Sequence, residues 1–317
     1  MWGDGDPFAC EPRIGGTHRR FAVRLPRAAR YEPPVALVLM LVLVLVPHGN
    51  QWNVTGQVMR EWTTFDRQSD AWGFAVVHPY GFGGCRADGR GVTSADLAGV
   101  DDVAFRRAII GWSAGRYGTP PDRAVVAGMS NGAFMAHRPA LKAGDRVAVM
   151  AAMAGGLPAA LLGTRPTHAV SAMLIHGTAD VITPIGPGYS RRRGPRGRLR
   201  GRTLSPHKTA QHWRATNRCP PKAAETRTTE FSRRVVAEGG IGGTQVVART
   251  VFVGGHNWPG RPSDPSGTNR PLRSSTGPRR SAGSPSPCSP PPPPGGSDPP
   301  GNHHGQERNA WQSWANY

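Results

Sequence analysis

Cysteine is scarce in this chain. Only Cys10, Cys85, Cys219 and Cys288 are present among 317 residues, widely spaced and with no C-x-x-C pair. That excludes a dense disulfide framework and a thiolate zinc site. One disulfide is compatible with these positions, and its pairing is not readable from them. No cluster of residues has metal-ligand spacing, and His303-His304 is an isolated pair in a polar stretch. Neither a metal nor a cofactor is expected. Long apolar runs are missing too. The longest, over residues 35–46, has twelve residues, whereas a membrane span needs about 20. No transmembrane span is expected, and there is no internal repeat.

Acidic residues are few. Twenty Asp and Glu stand against 39 Lys and Arg, a formal net charge of +19. Such a balance suggests nucleic acid or an anionic surface. Its distribution argues otherwise, because seven arginines crowd into 191–202, a Gly/Pro-rich stretch without apolar periodicity. That cluster reads as a solvated loop insertion over 190–202. With no RNP, zinc-finger or helix-turn-helix pattern, no specific nucleic-acid partner is expected. A basic polyanion-binding protein is the alternative reading.

The stretch that organises the chain is Gly128-Met129-Ser130-Asn131-Gly132. It matches G-x-S-x-G, in which a serine sits on a sharp turn between a strand and a helix. The flanks fit that context. Residues 123–127 read as a short buried strand. Residues 133–143 read as a helix of good formers, interrupted by Pro139.

Along the chain, residues 1–19 read as a flexible, polar segment. Residues 1–16 lack an apolar core, so no secretory signal peptide is expected there. Residues 20–25 alternate and read as an edge strand. The Val/Leu run 35–46 has the length of a signal-peptide apolar region, but no small-residue cleavage site follows it. It reads instead as a buried central strand, with a surplus of length that nothing explains. Residues 61–72 have helical character, and 74–78 form another buried strand. Asp101-Asp102 opens a helix with negative charge at its positive end. Phe105, Ala108, Ile109 and Trp112 make its apolar face, with Arg106 and Arg107 on the solvated side. Further strands are expected over 147–153, 171–175 and 245–253, and a helix over 204–217. Strands alternating with helices predict an α/β fold with a mostly parallel central sheet and helices on both faces. From Pro259 onward, 59 residues hold 14 of the 32 prolines. The segment 261–317 is expected to be a disordered, Pro/Gly/Ser-rich tail, with a short helix over 307–317.

A serine hydroxyl is a weak nucleophile until a base takes its proton and an acid orients that base. Strand 171–175 runs into His176-Gly177-Thr178-Ala179-Asp180. The strand ending at Val253 runs into Gly254-Gly255-His256-Asn257-Trp258-Pro259. The order Ser, acid, His after successive strands is that of the α/β-hydrolases. Ser130 is therefore the candidate nucleophile, His256 the base and Asp180 its partner. The oxyanion hole needs two N–H donors. One is the amide of Asn131, and the other is the amide of Asn50 or Gln51. His48 and His176 read as structural, loop-forming residues. Trp258 is either a wall of the acyl pocket or a packing aromatic.

Three motifs, at 128–132, 176–180 and 254–259, together resemble the polyhydroxybutyrate depolymerase-like esterases, relatives of feruloyl and acetylxylan esterases. Val100-Asp101-Asp102-Val103, Ala154-Gly155-Gly156-Leu157-Pro158 and Asn217 before Cys219 fit the same pattern. The resemblance covers about 20–260 and implies an α/β-hydrolase catalytic domain there. It implies hydrolysis of short-chain esters or polyesters through an acyl-enzyme on Ser130, and an extracellular location. The loop at His48 lacks the family's glycine run, and the proline-rich tail replaces a closing element. A catalytically inactive hydrolase-fold remnant is therefore a further alternative.

Overall fold

A computed structural model describes residues 8–10, 13–14, 17–27, 37–43, 63, 65–191, 199–221 and 224–258. All lie within one compact unit, Met1–Leu272. His48, Asn50, Gln51, Cys288 and the expected tail over 261–317 fall outside the described residues.

The strands are β1 (Phe8–Cys10), β2 (Arg13–Ile14), β3 (Thr17–His18), β4 (Phe21–Arg24), β5 (Leu37–Leu43), β6 (Ala75–Pro79), β7 (Ala124–Ser130), β8 (Val147–Met153), β9 (Ser171–Gly177), β10 (Ala224–Thr228), β11 (Ser232–Ala237) and β12 (Val246–Val251). The helices are α1 (Phe65–Trp72), α2 (Ser94–Leu97), α3 (Asp102–Tyr117), α4 (Asn131–Lys142) and α5 (Pro206–Thr216). Ten strands form one sheet in the order β1-β4-β6-β5-β7-β8-β9-β12-β11-β10. The pairs from β6 to β12 are parallel, and the pairs at each end are antiparallel. No helix among the described residues is long and apolar enough to cross a membrane.

Alternation along β4 and β6 assigns the helices to faces. Phe21, Val23, Ala75 and Val77 join Phe105 and Ile109 of α3 in the apolar core. The opposite face of the same strands meets α1. Arg24 reaches Asp70 at 2.7 Å, and Nε2 of His78 lies 3.2 Å from Asp66. Helices α3, α4 and α5 share the core face, and α5 is tied to α4 by Trp213 and His137. Helices thus cover both faces, as the alternation predicts.

Several expectations are corrected. Residues 20–25 are not an edge, because β1 pairs antiparallel outside β4. The expected flexible segment 1–19 therefore holds a strand of the sheet. Its three residues are too few to show a period, and pairing alone reveals them. Pro139 lies inside α4 instead of interrupting it. A helix tolerates the lost N–H where tertiary packing of its buried face outweighs it.

Arg106 is the largest departure. Expected on the solvated side of α3, it is fully buried. Asp101 is the N-cap, accepting from the amides of Val103 and Ala104. Asp102 instead turns inward, where Oδ1 takes Arg106 and Arg19, the latter at 2.6 Å, and Oδ2 takes the amide of Ala87 at 2.7 Å. A buried carboxylate needs cations, and position i+4 supplies one. Burial alone would raise the Asp102 carboxyl, yet Arg106 and Arg19 hold it at about 2. Arg86, packed beside this cluster, is lowered to about 9 by burial and by repulsion from Arg106. Arg107 remains exposed and pairs with Asp145.

Candidate active site

Strand β7 ends at Ser130, and α4 begins at the next residue. The serine has φ 56° and ψ −120°. A non-glycine residue at positive φ is strained, and Ser130 is held there between a strand buried among β5 and β8 and a helix buried along most of its length. Leu43, the last residue of β5, is in register with Ser130. The chain runs from β5 outward to β6, then returns to the other side of β5 as β7. Ser130 thus stands at the point where strand order reverses, the place where α/β sheets bind ligands.

Asn131 is buried at the first turn of α4. Its Oδ1 accepts from the Arg86 amide at 2.9 Å, and its Nδ2 donates to Asp88 and to the Arg86 carbonyl. The side chain anchors the loop before α2. The backbone amide, at a helix N-terminus, has no intrahelical acceptor, which suits an oxyanion donor.

Asp180 follows β9, and His256 follows β12. Nδ1 of His256 lies 2.8 Å from Oδ2 of Asp180. The carboxylate is fixed from its other side, because Oδ1 accepts the amides of Ile182 at 2.9 Å and Thr183 at 2.8 Å. Thr183 Oγ1 lies 2.7 Å from Oδ2 and donates there or to the Ala154 carbonyl at 3.0 Å. Burial alone would raise the Asp180 carboxyl. The His256 hydrogen bond and charge, with His176 and Thr183, hold it below the ordinary carboxylate range. Both residues are buried, so water does not compete for the pair.

The two loops that carry these residues lean on each other through backbone. Ala179 donates to the Gly254 carbonyl, Thr178 to the Val251 carbonyl, and Val253 to Thr178 Oγ1. A Cβ on Gly177 would stand 2.1 Å from the Gly254 oxygen. Glycine at 177 is required by that approach.

Ser130 and His256 line one cavity, together with Asn131, Thr183, Arg90 and Arg200. The serine hydroxyl makes no hydrogen bond among the described residues. Catalytic hydrogen bonds are often long without substrate and tighten in the complex.

The remaining expectations divide. Asn50 and Gln51 lie outside the described residues, although β5, which precedes them, ends level with Ser130. Trp258 is half-buried with its ring 5.8 Å from that of Phe65, and it is not among the described residues lining the cavity. His176 is not in a loop. It belongs to β9, is buried, and its Nε2 donates to the Thr183 carbonyl at 2.7 Å. Burial lowers its pKa despite Asp180 nearby. Thr183, Arg90 and Arg200 were not anticipated from sequence. Thr183 stands three residues past an acid already singled out, the offset of a turn closed by an Asp side chain, and that offset is its only signal. Cys85 and Cys219 are free thiols. Among the described residues, no group of three or more His, Cys, Asp or Glu is placed to hold a metal.

The parallel sheet, the strained serine at its switch point, and the acid and histidine after two later strands define an α/β-hydrolase fold. No family model matches the chain. A protein of Nocardia uniformis subsp. tsuyamanensis named "Putative esterase NocK" is 29% identical over 292 residues, 85% of this chain and 80% of that one. Among solved structures, the acetyl xylan esterase from Aspergillus awamori aligns over 79% of this chain and 94% of its own, with TM-score 0.54 and 12% identity. An S-formylglutathione hydrolase from Agrobacterium tumefaciens aligns over 81% and 90%, with TM-score 0.45 and 15% identity. The acetyl xylan esterase likeness bears on the fold alone.

Proposed function

We propose that the chain is a serine hydrolase of carboxylic esters, with a catalytic domain over 20–260. The observation that carries this reading is the His256–Asp180 contact at 2.8 Å, buried, amide-locked and sharing a cavity with a strained serine. In this reading Ser130 Oγ attacks the ester carbonyl, and its proton passes to Nε2 of His256. Asp180 holds the Nδ1 proton and stabilises the imidazolium. The oxyanion accepts from the Asn131 amide and from that of Asn50 or Gln51. Collapse returns the proton to the leaving alcohol, and water then releases the acid from Ser130 by the same steps reversed. The chemistry calls for no metal or cofactor.

The likeness to the NocK protein, named a putative esterase, supports an ester substrate, and the resemblance to polyhydroxybutyrate depolymerase-like esterases supports a short-chain acyl ester or polyester. An extracellular location belongs to the same proposal and is checked by assaying culture supernatant. The direct test is hydrolysis of p-nitrophenyl butyrate. Ser130→Ala is expected to abolish turnover with an unchanged far-UV circular dichroism spectrum. Retained turnover removes Ser130 from the mechanism.

A further inference from the structure

Thr183 meets both oxygens of Asp180. Its amide donates to Oδ1 at 2.8 Å, and its hydroxyl lies 2.7 Å from Oδ2. These contacts stay within one short turn, so they fix the carboxylate relative to Thr183. His176 ties that turn to the sheet. Its Nε2 stands 2.7 Å from the Thr183 carbonyl. A carbonyl oxygen only accepts, so Nε2 carries the proton and donates it. His176 belongs to β9, which pairs with β8 on one side and β12 on the other. Its register partner in β12 is Thr250, and β12 runs on into the loop of His256. The other carbonyl of the turn is held from outside. Ile182 accepts from the Arg191 amide at 2.9 Å and from Ser190 Oγ at 3.0 Å.

Nε2 of His176 also lies 3.7 Å from Oδ2 of Asp180, too far for a hydrogen bond. Burial lowers the His176 pKa, although Asp180 raises it. A neutral imidazole there leaves the carboxylate charge to His256. A charged one would compete for it. His176 and Thr183 are both buried, so water is a poor substitute for the donor.

We propose that His176 is a positioning residue of this site: its Nε2–H latches the 180–183 turn to β9 and so keeps Asp180 aimed at His256. This inference rests on the serine hydrolase reading and extends the Ser130, His256 and Asp180 set by a group that touches no substrate. Groups that orient a reacting side chain from behind typically matter by about 10-fold or more in activity.

The experiment compares two amides of like polarity at position 176. In His176→Gln the amide nitrogen reaches the place of Nε2. In His176→Asn the side chain is one methylene shorter and falls short of the Thr183 carbonyl. Thermal melts establish that both variants fold. On p-nitrophenyl butyrate, His176→Asn is expected to lose about 10-fold in kcat with KM unchanged, and His176→Gln to restore most of it. Equal kcat in both variants, a change confined to KM, or an Asn variant that fails to fold overturns the inference. A second readout needs no substrate. The low-field proton resonance of His256 Nδ1, assigned by its loss in His256→Ala, reports the hydrogen bond to Asp180. It is expected to persist in His176→Gln and to shift or broaden away in His176→Asn. That pattern in a protein that hydrolyses no ester would remove the hydrolase reading and keep the latch. A resonance unmoved in both variants overturns the latch.

Discussion

Trp213 of α5 donates its indole N–H to Nδ1 of His137 in α4 at 3.1 Å, with the two rings stacked within 20°. An Nδ1 that accepts is unprotonated, so His137 is the neutral tautomer with its proton on Nε2. Burial drives its pKa down to about 3.

The folded pKa of His137 therefore lies below the unfolded value. Stability is full above about 6.5 and is lost as pH falls, because only the unfolded chain then binds the proton. Between pH 7 and pH 5 this residue alone is expected to cost about 2 kcal/mol. Urea denaturation at the two pH values reads the loss. Trp213→Phe leaves Nδ1 buried without its donor and is expected to cost about 1–3 kcal/mol.

Asp180→Asn keeps the shape of the side chain and removes the charge that holds the His256 Nδ1 proton. An amide can also favour the wrong imidazole tautomer. A fall in kcat of about 10⁴-fold is expected, with little change in folded structure. Steady-state kinetics on p-nitrophenyl butyrate, beside a thermal melt, measures both.

Thr183 lines the cavity and touches both partners of the pair, Oγ1 lying 2.7 Å from Oδ2 of Asp180 and 3.2 Å from Nδ1 of His256. Thr183→Val removes the Oγ1 contacts to Asp180, Ala154 and His256 and keeps the volume. A loss of about tenfold in kcat, with KM nearly constant, is the expected signature of a loosened partner. Thr183→Ser, which keeps the hydroxyl, should restore most of it. A rise in KM alone would assign Thr183 to binding.

Asp102→Ala strands Arg19 and Arg106 inside the core with no counter-charge. Breaking a buried pair in this way costs about 3–5 kcal/mol. The wild-type carboxyl, held at about 2, lies below its unfolded value. Its contribution is present above about pH 4 and fades as pH falls towards 2. Acid unfolding of the wild type followed by circular dichroism should show that window.

The candidate site was legible in part because its motifs are written in local grammar. Ser130, Asp180 and His256 each stand at or just after the end of an apolar strand, with a glycine within three residues. The buried central strands were legible for the same reason. What periodicity misses is pairing at a distance. Arg106 looks like a surface residue until Asp102 and Arg19 are seen to surround it. The hairpin of β10 and β11 was not anticipated. Its strands carry Arg227, Arg233 and Arg234, and Arg234 stands opposite Arg249 of β12. Like charges in register hide a strand from any pattern of alternation. Arg90 was not singled out in sequence, because the Phe134 ring it packs against comes from a distant helix.

The glycine-to-glycine seam between residues 177 and 254 has a mechanical consequence. Acid and imidazole ride on one welded platform, so thermal drift carries them in step and leaves their mutual spacing intact. The adjustable gap is the one to the hydroxyl, which hangs from a different strand. A side chain inserted at residue 177 would meet the Gly254 carbonyl and is therefore expected to part Asp180 from His256 without displacing Ser130.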